Sequence, residues 1–149
     1  MEIVGEKPHQ TLGTIHFGSG YPARELVTHV YDIPNGSTVA DWHTYAVEWE
    51  PGEIRFHVDD VHTRTYDHWW SCSQVQDGQG VIARRKADLN PWPAPFDQPF
   101  FLVMNVAVGG NFPGVPSPET RFPAELVVDH VRVYDKVGGY GETRPIGKG

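Results

Sequence analysis

The stretch HTYAVEWEPGEIRFHVDD, residues 43–60, decides the fold class. Tyr45–Trp49 and Ile54–Val58 are short runs rich in β-branched and aromatic residues, and Pro51-Gly52 between them is turn chemistry, so the segment reads as a β-hairpin. In the second arm Ile54, Phe56 and Val58 alternate with Arg55 and His57, the period-two pattern of a strand with one buried face. Working outward, the same signals recur. Asn35-Gly36 and Gly109-Gly110 punctuate other short apolar runs, and no long stretch shows a helical period. In FFLVMNVAV, Phe100–Val108, the even positions Phe100, Leu102, Met104, Val106 and Val108 are large and apolar, while Asn105, Ala107 and Gly109 fall on the opposite face. ELVVDHVRVYD, Glu125–Asp135, reads as a second strand of this kind.

Composition agrees with an all-β domain. A chain of 149 residues with 39% hydrophobic and 12% aromatic content can bury a core, and 13 Pro and 16 Gly suit many short strands joined by turns. The expected architecture is an antiparallel β-sandwich or jelly roll in a single domain, residues 1–135, followed by a loosely held tail, residues 136–149. With 12 Lys plus Arg against 19 Asp plus Glu, the net charge of −7 and the lack of a basic stripe argue against a nucleic-acid partner. Phe100–Val108 is the longest apolar run and is about half the ~18 residues that a membrane-spanning helix requires. Cys72 is alone, so no intrachain disulfide is available, and the eight histidines show no zinc-protease spacing. Asn35-Gly36-Ser37 fits a glycosylation acceptor but reads first as a turn.

One feature of the N-terminus raises a chemical question. MEIVGEKPHQTLGTIHFG, residues 1–18, begins at once with a strand-like apolar run and places a carboxylate, Glu2, at its start. The segment from His68 to Pro95 is different again: two adjacent tryptophans, Trp69 and Trp70, a basic triplet and three prolines mark a long excursion, and long loops in compact domains tend to be functional. Exposed aromatic faces stack on sugar rings, so Trp69 and Trp70 are candidates for a binding groove, whereas Trp42 and Trp49 read as packing between sheets. Asn105 interrupts the most apolar run of the chain, and a polar group there must face a groove or find buried partners.

MEIVG with GTIHFG, HTYAVEWEPGEIRFHVDD, PFDQPFFLVMNVAVGGNFPG and FPAELVVDHVRVYD, in this order, resemble the C-terminal half of glycoside hydrolase family 16, in particular its laminarinase-like endo-β-1,3-glucanases. The resemblance covers nearly the whole chain and is weakest in the long excursion and the tail. It implies a jelly-roll sandwich of the concanavalin or lectin type, here incomplete, that cleaves β-1,3-glucan with retention. The family's catalytic strand carries Glu-x-Asp-x-x-Glu, and Met1-Glu2-Ile3-Val4-Gly5 matches its last Glu, the general acid/base. The nucleophile and the middle Asp would then precede Met1, so the chain is expected to begin midway through a larger body, to lack an N-terminal half, and to be a poor catalyst alone.

The resemblance also implies sugar contact at His16 and Asn105, no cofactor for catalysis, and a structural Ca²⁺ near Asp129. Calcium takes carboxylate and carbonyl oxygens, and the family's carbonyl donors come from the other half; without them Asp129 reads as a surface carboxylate. The implied partner is a β-glucan polysaccharide, which for the full-length protein implies a secreted or extracytoplasmic location, although no signal peptide opens this chain. A non-catalytic carbohydrate-binding sandwich is the alternative, because a sugar-binding fold can exist without the chemistry.

Overall fold

The computed structural model describes residues 1–20, 24–73, 75–76, 79–80 and 86–148. Its strands are β1 (Gln10–Gly18), β2 (Arg24–Asp32), β3 (Tyr45–Glu50), β4 (Glu53–Val58), β5 (Val61–Tyr66), β6 (Val75–Gln76) and β7 (Gln79–Gly80), with a 3₁₀ turn at Lys86–Asp88. All ladders are antiparallel and join neighbours in sequence: β1 with β2, β3 with β4 and β5, and β6 with β7. The hairpin at residues 43–60 forms as its pattern requires. β3 and β4 pair from Tyr45–Val58 to Glu50–Glu53, and Ile54, Phe56 and Val58 are buried while the residues between them are half-buried. Gly52 turns the hairpin at φ 86°, and a Cβ there would lie 2.6 Å from the Arg144 carbonyl oxygen, so the position demands glycine twice over.

Two layers make the core. On β1, Thr11, Gly13, Ile15 and Phe17 face inward and alternate with the more exposed Leu12, Thr14 and His16. Ile15 and Phe17 pack against Ile54 and Phe56 of β4, Tyr66 at the end of β5, and Trp69. The layers lie close together at Gly13, whose missing side chain leaves room for the Phe56 ring and whose carbonyl accepts from the Tyr66 hydroxyl at 2.9 Å. This is sheet-on-sheet packing, an all-β sandwich in part.

Phe100–Val108 and Glu125–Asp135, which the sequence marks as strands, form no ladder among the described residues, and both are exposed throughout, with Phe101 at 86% and Val133 at 91%. An extended run becomes a strand only when a neighbour takes up its backbone N–H and C=O groups, and the ladders among the described residues all join strands that are neighbours in sequence. Parity alone therefore identified their character but not their partner. Asn35-Gly36 does turn the chain, with φ 61° and 73°, but it opens the connection between two different sheets rather than closing a hairpin.

Beyond Asp135 the chain returns to the β3–β4 turn. Arg144 N–H donates to the Pro51 carbonyl at 3.0 Å, Gly147 N–H donates to Asp67 at 2.7 Å, and the Trp92 indole donates to the Arg144 carbonyl at 2.6 Å. Lys136 and Arg144 pair with Glu50 and Glu53, which also hold Arg55. The Lys136 ammonium, then the Arg55 guanidinium, pull the Glu50 carboxyl down to about 2.

A histidine fastens the β2–β3 connection to the β4–β5 turn. The His43 side chain is 6% exposed; its Nδ1 lies 3.0 Å from Asp59 Oδ2, and its Nε2 lies 3.0 Å from both the Thr38 carbonyl and Ser37 Oγ. The Ser37 hydroxyl in turn donates to Asp41 at 2.9 Å. Ser, His and Asp are thus in line, but Nδ1 meets a carboxylate and Nε2 a carbonyl, so the surroundings favour the imidazolium, in which both nitrogens donate, over the free base. The Asp59 hydrogen bond raises the His43 pKa above 6.5 against the opposing effect of burial, and His43 lowers that of Asp59. A raised histidine stabilises the fold fully below its unfolded value and loses that contribution as pH climbs through the folded one. We therefore expect the urea midpoint to fall as pH rises above 6.5, and His43→Gln to flatten that slope; an equal slope in the variant would refute the clasp.

Candidate active site

Glu2 is laid against β1 by a pair of backbone hydrogen bonds with Leu12, each 2.9 Å, on the edge of β1 that β2 does not occupy. A turn at Val4–Lys7 and a second at Lys7–Gln10 bring the chain round from Glu2 into β1. Residues opposite one another in an antiparallel bridge share a face, so Glu2 lies with Leu12, Thr14 and His16 on the open side of β1 and away from the Ile15–Phe17 core. The side chains confirm it: the Thr14 hydroxyl donates to Glu2 Oε2 at 3.1 Å, and Thr14 Oγ1 lies 3.0 Å from Thr28 Oγ1 on β2. His16 follows two residues along the same face, about 7 Å further. The site is therefore a carboxylate, two hydroxyls and an imidazole on one exposed sheet face, an arrangement suited to binding hydroxyl-rich ligands and to moving a proton.

The remaining sequence candidates lie elsewhere. Trp69 is 1% exposed, donates its indole N–H to the Pro93 carbonyl at 2.8 Å, and packs on Trp92 and edge-on against Phe96. No face of its ring is open to a sugar. Trp70 is half-buried against the same core, and its indole donates to Glu25 Oε2 at 3.0 Å. Glu25 is paired with Phe17, which faces the core, so Trp70 meets the face opposite to Glu2. Trp69 thus serves packing rather than a groove, while Trp70 keeps part of its surface open, because the excursion folds back over the core: Gly18 N–H donates to the Trp70 carbonyl and Cys72 N–H to that of Gly18. Parts of that excursion, including Arg84 and Arg85 of the basic triplet, lie outside the described residues.

Asn105 sits on the exposed, unpaired Phe100–Val108 run, with no hydrogen bond to the Glu2 face among the described residues. Asp129 is 76% exposed and 2.9 Å from His130 Nδ1, and among the described residues no group of three or more His, Cys, Asp or Glu could hold a metal. One exposed carboxylate does not meet calcium's demand for six to eight oxygens, so the residues present do not fit that ion. An open groove of about 390 Å³ between Trp49, Phe96 and Tyr140 includes none of the residues on the Glu2 face. Sequence reasoning missed Thr14 and Thr28. Thr14 could have been found by parity, two positions before His16 on one strand, but Thr28 needed the register of β1 against β2.

An exposed carboxylate on the open face of packed antiparallel layers defines the class as a β-sandwich with a polar open face. Residues 1–76, which hold the whole Glu2 face, match the family model described as glycosyl hydrolases family 16, and the chain belongs to that family. It is 41% identical over 138 residues to Glucan endo-1,3-beta-glucosidase A1 of Niallia circulans, covering 90% of this chain and 18% of that protein. With Beta-glucanase of Rhodothermus marinus it shares 38% identity over 141 residues, 90% of this chain and 42% of the relative. With Beta-1,3-glucan-binding protein of Penaeus monodon it shares 34% over 127 residues, 74% of this chain and 32% of the relative. The chain thus spans less than half the length of these curated relatives. No solved structure gives a significant match.

Proposed function

We propose that this chain carries the acid/base side of a retaining endo-β-1,3-glucanase whose catalytic domain is completed by residues that precede Glu2. Glu2 protonates the departing glycosidic oxygen and then, as a carboxylate, takes a proton from the water that releases the glycosyl intermediate. A second carboxylate about 5–5.5 Å away attacks the anomeric carbon in such enzymes. By the resemblance, that nucleophile lies upstream in the catalytic strand. His16 and Asn105 are proposed to contact sugar hydroxyls, Asn105 once Phe100–Val108 is paired. A polysaccharide substrate implies action outside the cytoplasm.

The observation that carries this reading is the exposed Glu2 carboxylate, fixed by its bridge to Leu12 beside Thr14 and His16, within the segment that matches the family. The test is reducing-sugar release from laminarin by the chain alone and by the chain joined to the upstream residues that complete its domain. Steady release is expected only from the joined protein. Steady release by the isolated chain would contradict the proposal.

A second reading is favoured by one observation, the likeness to a relative named as a glucan-binding protein: a module that binds β-1,3-glucan without cutting it. Laminari-oligosaccharide binding with no turnover in the completed domain would support that reading against the first.

A further inference from the structure

We propose that Thr14, backed by Thr28, is the positioning residue for Glu2, a two-hydroxyl relay that holds the carboxyl in place in both of its protonation states. The inference rests on the proposed role of Glu2 and goes beyond it. Thr14 has one hydroxyl hydrogen. At 3.1 Å it is given to Glu2 Oε2, a carboxylate that can only accept, so the 3.0 Å contact between Thr14 and Thr28 must be supplied by the Thr28 hydrogen. The chain of donors therefore runs from Thr28 through Thr14 to Glu2.

An acid/base residue has to be held equally well before and after it loses its proton, when its oxygen changes from donor to acceptor. A backbone N–H or a cation can only donate, so it has no lone pair to take the acid's O–H. Hydroxyls can turn round. When Glu2 is protonated, its O–H can donate to Thr14, and Thr14 to Thr28, with no heavy atom moved. The register makes this possible: Thr14 and Thr28 are directly opposed on the open face of the β1–β2 ladder, and the Glu2–Leu12 bridge sets the carboxylate beside them. β-Branched threonine adds a stiff χ1 to both hydroxyls.

The experiment uses the domain completed by its upstream residues, with laminarin as substrate. Thr14→Val keeps the shape and removes the hydroxyl, and a hydrogen bond to a charged group corresponds to about a tenfold loss in kcat or more. That loss is expected in kcat with KM held, and Thr14→Ser is expected to recover most of it. A merely structural role would instead lower the melting temperature of Thr14→Val, and Thr14→Ser would not restore the rate. Unchanged kcat in Thr14→Val, alongside an inactive Glu2→Gln, would overturn the relay and leave the role of Glu2 standing. Full activity in Glu2→Gln would overturn both.

Discussion

Glu2→Gln in the completed domain is expected to lower kcat on laminarin by about 10²–10⁴-fold, the range that general acid/base catalysis supplies. Gln keeps the shape and can still accept from Thr14, so the β1 face and its hydroxyls should remain as they are. What it cannot do is give a proton to the leaving oxygen or take one from water. A sugar leaving group is a strongly basic alkoxide without that proton, and the first step on laminarin depends on it fully. An aryl β-1,3-glucoside with a weakly basic leaving group does not, so its kcat/KM should survive while its turnover slows at the second step, giving a burst of released phenol. Equal losses on the two substrates would mean that the substitution damaged binding or folding rather than proton transfer.

Trp69→Ala is expected to destabilise the protein by about 3–5 kcal/mol, the cost of emptying a large buried aromatic site. Its side chain touches both layers of the sandwich through the Ile15, Phe17, Ile54, Phe56 and Tyr66 cluster, and it also anchors Trp92 and Phe96 of the proline-rich segment. Removing it opens a cavity where the β1 layer meets β4 and leaves the Pro93 carbonyl without its indole donor. Because this cluster lies on the reverse of the face that carries Glu2, the loss would be one of stability with oligosaccharide affinity retained by the molecules still folded. Denaturant unfolding alongside laminari-oligosaccharide binding separates the two. Weakened affinity at unchanged stability would return Trp69 to the sugar-binding groove.

Much of the fold was legible because period-two alternation reports directly on burial in a two-sided strand. Ile54, Phe56 and Val58 are buried as their spacing requires, and Ile15 and Phe17 on β1 are buried by the same rule that turns Thr14 and His16 outward. Pro51-Gly52 announced its turn because few dipeptides reach a positive φ as readily. The failures share a cause. Pairing between distant segments is not written in any local period, so Phe100–Val108 and Glu125–Asp135 show the pattern of strands yet have no ladder among the described residues. The same limit hides Trp69: its place in a long excursion suggests exposure, and only tertiary structure shows that the excursion folds back onto the core. At the site, parity along β1 puts Thr14 and His16 on one face, whereas the Thr14–Thr28 hydroxyl pair depends on a cross-strand register fixed by a connection that sequence does not measure.

The central claim, that Glu2 serves a retaining mechanism as its acid/base, is tested most directly by azide. In the completed domain carrying Glu2→Ala, an aryl β-1,3-glucoside forms the glycosyl intermediate but lacks the base that activates water, and azide, which needs no base, can enter the space left by the carboxyl. The account predicts that azide restores turnover and that NMR of the product shows a glucosyl azide of β configuration. No rescue, or a product of α configuration, would contradict it.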